Sequence, residues 1–152
     1  MDRIAMLEVG EHTREVLTSC GVPQGSPLSP TLFLVFIDDL IHSLSSLGPL
    51  KAQGFANDLV LWIEGSFRDG DIHPILRQGL LRAEQWSRFW RICFSPAKCE
   101  CITFCGKTVS MAHQFQAFMY GELLQHQPAL KYLGVWFDEH MTWRHHVCET
   151  LR

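Results

Sequence analysis

No apolar run in these 152 residues approaches the roughly 20 needed to cross a bilayer, and the opening segment from Met1 to Gly10 carries acids and no long hydrophobic stretch. Neither secretion nor membrane insertion is expected. Positive charge is also scarce: 13 Lys and Arg stand against 16 Asp and Glu, for a formal net charge of −3. A chain of that balance has no overall attraction for nucleic acid, so any such contact must be local. Metal-binding signatures are missing as well. Cys99, Cys101 and Cys105 with His113, or His140, His145 and His146 with Cys148, lack the paired spacing of a zinc site, and the six cysteines lack a secreted disulfide framework. They read as reduced thiols of an intracellular protein, with those of the 99–105 stretch buried on one strand face. No serine or cysteine has an activating arrangement nearby, which removes a hydrolase reading.

What is present is a chain rich enough in apolar residues, 47%, to bury a core without staples. With no repeats or linkers, it reads as one α+β unit over residues 1–152. Arg3 to Val9 and Val16 to Cys20 flank a polar stretch and suggest a hairpin. Gly21-Val-Pro-Gln-Gly-Ser-Pro-Leu-Ser-Pro30 is a rigid loop, with Ser29 and Pro30 as cap and first turn of a helix from about Thr31 to Leu47. Its apolar residues cover more than one stripe, which predicts burial on most sides.

Two short apolar runs, Gln53 to Ala56 and Leu59 to Ile63, bracket Asn57-Asp58 and predict a second hairpin turning there. From Ile72 to Cys93 the apolar period is helical, with Arg77, Arg82, Glu84 and Arg88 on other faces. A strand is expected over Cys99–Cys105, further strands around Ala117–Leu124 and Leu130–Phe137, and a short helix from near Thr142. The periodicity places most of Trp62, Trp86, Trp90, Trp136 and Trp143 in the core. Asp38 and Asp39 read as solvent-facing acids, and Lys98 as a solvated strand-edge residue.

Several of these segments occur in the order seen in reverse transcriptases of non-LTR retrotransposons. The Gly21–Pro30 loop and its helix with Ile37-Asp38-Asp39-Leu40 resemble that family, and the jockey-like elements most closely. Gly54-Phe55-Ala56-Asn57-Asp58-Leu59 is similar to the family's Phe/Tyr-Ala-Asp-Asp hairpin. Ser95 to Phe104, and Lys131-Tyr-Leu-Gly-Val-Trp-Phe-Asp138 with Trp143 and His146, resemble its later palm motifs and primer grip.

The resemblance implies a truncated polymerase palm: an antiparallel sheet with helices packed on one face, ending at the start of the thumb-side connection. Gln24, Gly25, Ser26, Phe55 and Ala56 would lie against template and nucleotide, and Tyr132, Leu133 and Gly134 in the primer grip. Asp58 would be a catalytic metal ligand, and Asn57 stands where the family has an aspartate. The family uses Mg²⁺ held by carboxylates from adjoining strands. The first of these aspartates, its strand and the fingers are expected upstream of Gly21 and are not found here. Asp2 is too close to the first hairpin to replace that aspartate.

The expectation is therefore a fragment of an RNA-directed DNA polymerase, inactive alone and weak in Mg²⁺. RNA template and DNA primer would be its partners, and a complementing polymerase fragment a further one. Two alternatives stand beside it: a palm-derived module that binds nucleic acid or protein without catalysis, and an untranslated relic. Nuclear residence is implied by the resemblance alone, and oligomeric state is left open.

Overall fold

The computed structural model describes residues 3–18, 21–23, 25–65, 72–104 and 116–151. Asp2, Cys20, Gln24, Cys105 and His113, singled out above, lie outside them.

The chain begins with β1 (Arg3–Val9) and β2 (His12–Thr18), antiparallel in a register that pairs Val9 with His12 across Gly10-Glu11. Gly10 has φ +64, a conformation glycine adopts without a steric penalty. Among the described residues, no other element packs against this hairpin by more than a marginal contact. Every side chain described in it is exposed.

After the proline-rich loop comes α1 (Ser29–Ser45), two residues earlier than the sequence suggests. Ser29 is not its cap: the N-cap is Leu28, with no side-chain bond, and the Ser29 hydroxyl instead donates to the Pro23 carbonyl. The expected burial on most sides is also corrected. Ile37, Leu40 and Leu44 are buried, flanked by half-buried Phe33, Ile41 and Leu47. Leu28, Leu32 and Val35, spaced i, i+4 and i+7 on the opposite side, are exposed. Only one stripe of the helix meets the core.

That stripe rests on β3 (Leu50–Phe55) and β4 (Asp58–Ile63) together with α2 (Ile72–Trp90). A Cβ at Gly79 would lie 2.5 Å from Leu50 Cδ2, so the glycine lets α2 approach the buried start of β3. Leu80 and Ala83 of α2 are buried as the period requires, whereas Phe89 and Trp90 at its end, and Cys93 beyond it, are exposed. Glu84, expected on an outer face, is buried: its Oε1 accepts the Tyr120 amide at 2.7 Å. Arg82 is half-buried and donates to the Ser43 carbonyl at 2.7 Å, joining α2 to α1.

Beyond a 3-10 turn at Pro96–Lys98 the strands are short. They are β5 (Glu100–Cys101), β6 (Phe118–Met119), β7 (Glu122–Leu123), β8 (Gln125–His126), β9 (Ala129–Tyr132) and β10 (Val135–Asp138), followed by α3 (Arg144–Thr150). The strand expected from Cys99 shrinks to two residues. The two expected around Ala117–Leu124 and Leu130–Phe137 are each a hairpin. Tyr120-Gly121 and Leu133-Gly134 take φ of +52, +83 and +48, +85, the pattern of a two-residue turn with both residues left-handed.

The architecture is thus α+β, but its strands form five separate two-stranded ladders, four antiparallel and β5–β8 parallel. One continuous sheet is absent among the described residues. Of the tryptophans expected in the core, Trp86 and Trp136 are half-buried, and Trp62, Trp90 and Trp143 are exposed. The four described cysteines are free, and burial pushes the Cys99 and Cys101 thiols above their usual value.

Candidate functional site

The β3–β4 hairpin has two unlike faces because side chains alternate along a strand. Leu50, Ala52, Gly54, Leu59, Leu61 and Ile63 point to the helices and are buried or half-buried. Lys51, Gln53, Phe55, Asp58 and Trp62 point the other way and are exposed, with half-buried Val60 among them. A Cβ on Gly54 would stand 3.1 Å from Ile41 Cδ1, so this glycine lets α1 lie against the hairpin just before its turn.

The turn falls one residue earlier than the sequence suggests. Phe55 pairs with Asp58, and Ala56-Asn57 form the connection, with Ala56 at φ +50. Holding a non-glycine residue there costs on the order of 1 kcal/mol, and such strain collects at functional sites. The consequence is positional: Asp58 belongs to a strand and projects from its solvent face beside Phe55, while Asn57 occupies the tip.

At the far end of the same face Lys51 donates to Glu64 Oε1 at 2.7 Å, and Trp62 Nε1 reaches that oxygen at 3.4 Å. The Lys51 bond, then the Trp62 bond, hold the Glu64 carboxyl below its usual range. Sequence reasoning did not single out this trio. Cross-strand pairing of Lys51 with Trp62 could have found it.

The other predicted residues sit apart. Gly25, at φ +85, and Ser26 lead into α1; Ser26 N–H donates to Pro23 O at 3.4 Å and its carbonyl accepts from Ser29 N–H at 3.1 Å. Tyr132, Leu133 and Gly134 form the end of the β9–β10 hairpin, with the Tyr132 hydroxyl buried and without a hydrogen-bond partner. Among the described residues no group of three acids, histidines or cysteines is placed to hold a metal ion.

Asp39, taken from the sequence as solvent-facing, accepts two indole N–H groups, from Trp86 at 2.8 Å and Trp90 at 3.3 Å. Asp138 closes the Lys131–Asp138 motif, but the sequence reading gave it no role of its own. It accepts the amides of His140 at 3.1 Å and Thr142 at 3.0 Å and the Thr142 hydroxyl at 3.1 Å, fixing the approach to α3. A carboxylate two and four residues before those donors is the signal that could have revealed it.

Comparison with known proteins agrees with the motif order. The family described as Reverse transcriptase (RNA-dependent DNA polymerase) matches residues 3–137. The RNA-directed DNA polymerase from mobile element jockey of Drosophila melanogaster is 30% identical over 134 residues, covering 85% of this chain and 14% of that protein. Its counterpart in Drosophila funebris is 29% identical over 131 residues, covering 84% of this chain and 14% of the relative. The probable polymerase from transposon X-element of Drosophila melanogaster is 29% identical over 132 residues, covering 86% of this chain and 14% of that protein. The chain therefore spans about one seventh of the length of these curated relatives. No solved structure matches it. The chain belongs to the reverse transcriptase (RNA-dependent DNA polymerase) family, with polymerases of jockey-like mobile elements among its relatives.

Proposed function

We propose that this chain is a palm segment of an RNA-directed DNA polymerase from a jockey-like retrotransposon, and that it does not polymerise DNA by itself. The observation that carries the reading is the solvent-facing end of the β3–β4 hairpin, where Asp58 and Phe55 stand side by side and Asn57 holds the tip. RNA template and DNA primer are the ligands that this family membership suggests. Gln24, Gly25, Ser26, Phe55 and Ala56 would meet template and nucleotide, and Tyr132 to Gly134 the primer end.

Nucleotidyl transfer in the family draws on Mg²⁺, which stabilises charge on attacking and leaving oxygens. Mg²⁺ requires hard anionic ligands in near-octahedral geometry and sheds water reluctantly. One carboxylate, Asp58, next to the neutral amide of Asn57 does not fit that demand among the described residues. What the hairpin still offers is the exposed ring of Phe55, against which a base could stack.

A second reading, a non-catalytic nucleic-acid-binding module, is favoured by Phe55 and Trp62, exposed on one sheet face, since aromatics so placed can stack on bases. The test is primer extension by the purified chain on an RNA·DNA hybrid with Mg²⁺, alongside hybrid binding measured by anisotropy. Binding without extension is the expected result. Extension by the chain alone would overturn the proposal of inactivity. Absence of binding at low salt would remove both readings.

A further inference from the structure

At the end of the β3–β4 ribbon away from Asn57 and Asp58, the solvent face carries a second arrangement. Lys51 and Trp62 are cross-strand partners there. Both reach one oxygen of Glu64, the residue after β4: Lys51 Nζ donates at 2.7 Å and Trp62 Nε1 at 3.4 Å. Two N–H donors, one of them cationic, thus converge on a single anionic oxygen. Their preference for negative charge shows in the Glu64 carboxyl, which the Lys51 bond first and the Trp62 bond second hold below its usual range.

The anion now in that place is loosely held. The Lys51 and Glu64 side chains are 51% and 72% exposed, and an ion pair so open to water contributes little. Among the described residues Glu64 makes no other hydrogen bond or ion pair. An outside anion can therefore take its position by exchanging one oxygen for another.

The rest of the face indicates which anion. Phe55 is 57% exposed on the same side, four residues along β3 from Lys51, which is about 13 Å at the rise of a strand. An isolated anion would use only the Lys51 end. A nucleic-acid strand uses both, because it carries phosphates and stackable bases along one chain. The acid of the face that is not tied up, Asp58, stands at the Phe55 end, so the phosphate is received at the Lys51 end.

We propose that Lys51 and Trp62 form a contact for a backbone phosphate of a nucleic-acid strand that stacks a base on Phe55, and that Glu64 is a resident competitor which the phosphate displaces. The inference rests on the nucleic-acid reading above and adds to it a contact and a restraint on that contact.

The experiment is anisotropy of a labelled RNA·DNA hybrid titrated with the full chain at several salt concentrations. A lysine freed for one phosphate steepens the slope of log affinity against log salt by about one. Glu64→Gln should therefore show that steeper slope and bind the hybrid about threefold or more tightly at low salt. Adding Lys51→Gln to Glu64→Gln should remove both changes. Glu122→Gln, at an exposed position on β7, alters the net charge equally and should produce neither. In the unmodified chain the Trp62 indole N–H resonance should shift as hybrid saturates the protein, because its acceptor changes.

Hybrid binding by the unmodified chain with no gain in Glu64→Gln overturns this inference and leaves the nucleic-acid reading standing. So does a gain that survives Lys51→Gln or is matched by Glu122→Gln, which would be a general charge effect. An indole shift with a free deoxynucleoside triphosphate but none with the hybrid overturns it as well. No hybrid binding by any form at low salt removes the reading and the inference together. The indole resonance of the unmodified chain decides the question even if a variant fails to fold: unmoved at saturation, it sinks the proposal.

Discussion

Asp39 on α1 accepts the indole N–H of Trp86 at 2.8 Å and that of Trp90 at 3.3 Å, so one carboxylate fastens the far half of α2 to α1. Phe36 lies 5.1 Å from each indole ring and completes the contact. The arrangement gives both tryptophans a polar partner while leaving them partly exposed, which is how large amphipathic rings commonly sit at a surface.

Replacing Asp39 by alanine leaves both N–H groups to water. Because the site is partly solvated, the cost should be about 1 kcal/mol, below the roughly 1.5–3 kcal/mol of a hydrogen bond to a charged group in a drier place. For a chain of this length that corresponds to a fall in Tm of roughly 2–4 °C. A thermal melt followed by far-UV circular dichroism measures it. An unchanged midpoint would mean that the indole contacts contribute nothing to holding the helices together.

How much of this could be read from the sequence depends on the range of the interactions involved. The two long helices and the β3–β4 hairpin were legible because their apolar periods run over many residues. The β6–β7 and β9–β10 hairpins were not. Each turns on a residue followed by glycine, Tyr120-Gly121 and Leu133-Gly134, and the surrounding apolar run hides so short a signal.

At the candidate site the hairpin around Phe55 to Asp58 was legible, but its turn was misplaced by one residue. Asn57-Asp58 is a common turn pair, and only the ladder shows that Asp58 is already paired with Phe55. Burial of Glu84 and the bonding of Asp39 depend on residues 36 and 47 positions away, respectively, which no local pattern reports.

Glu84 offers a second test. Its carboxylate, on α2, accepts the Tyr120 amide at 2.7 Å, and the Ser87 hydroxyl bonds the Tyr120 hydroxyl, so α2 holds the left-handed turn between β6 and β7. Glu84→Gln keeps an acceptor and should be mild, whereas Glu84→Ala leaves the amide unpaired in a half-buried place and should cost about 1–3 kcal/mol. Urea melts of the two variants check this. Equal midpoints for Gln and Ala would show that the bond to Tyr120 carries no weight.

Asp138 predicts an acid-sensitive turn. The Thr142 amide, then the Thr142 hydroxyl and the His140 amide, donate to its carboxylate and hold its pKa below the usual carboxylate value. A folded value below the unfolded one means that the contribution to stability is fully present above the usual carboxylate range. It is lost as pH falls through the lower folded value. Exchange protection of the Thr142 amide should therefore hold through neutral and mildly acidic pH and drop in strong acid. In Asp138→Asn the protection should be lower throughout and lack that acid step. An acid step of the same size in the variant would assign the effect to another group.

The last prediction concerns the tip of the β3–β4 hairpin. Asn57 offers a divalent cation one neutral oxygen, and Asp58, next to it, one carboxylate. Asn57→Asp doubles the anionic charge at that end of the ribbon, where hard cations are held by oxygen ligands and affinity rises with ligand charge. Mn²⁺ binding, read from paramagnetic broadening of the Phe55 and Asp58 resonances, should strengthen by about tenfold or more in the variant. Ala56 keeps its left-handed backbone in either form, so the gain should appear without a change in the circular dichroism spectrum. Joined to the upstream segment of a jockey polymerase, the same substitution should restore Mg²⁺-dependent primer extension. Stronger Mn²⁺ binding without extension in that fusion would locate further lesions outside the hairpin. Unchanged Mn²⁺ binding would show that Asn57 is not what limits the metal site.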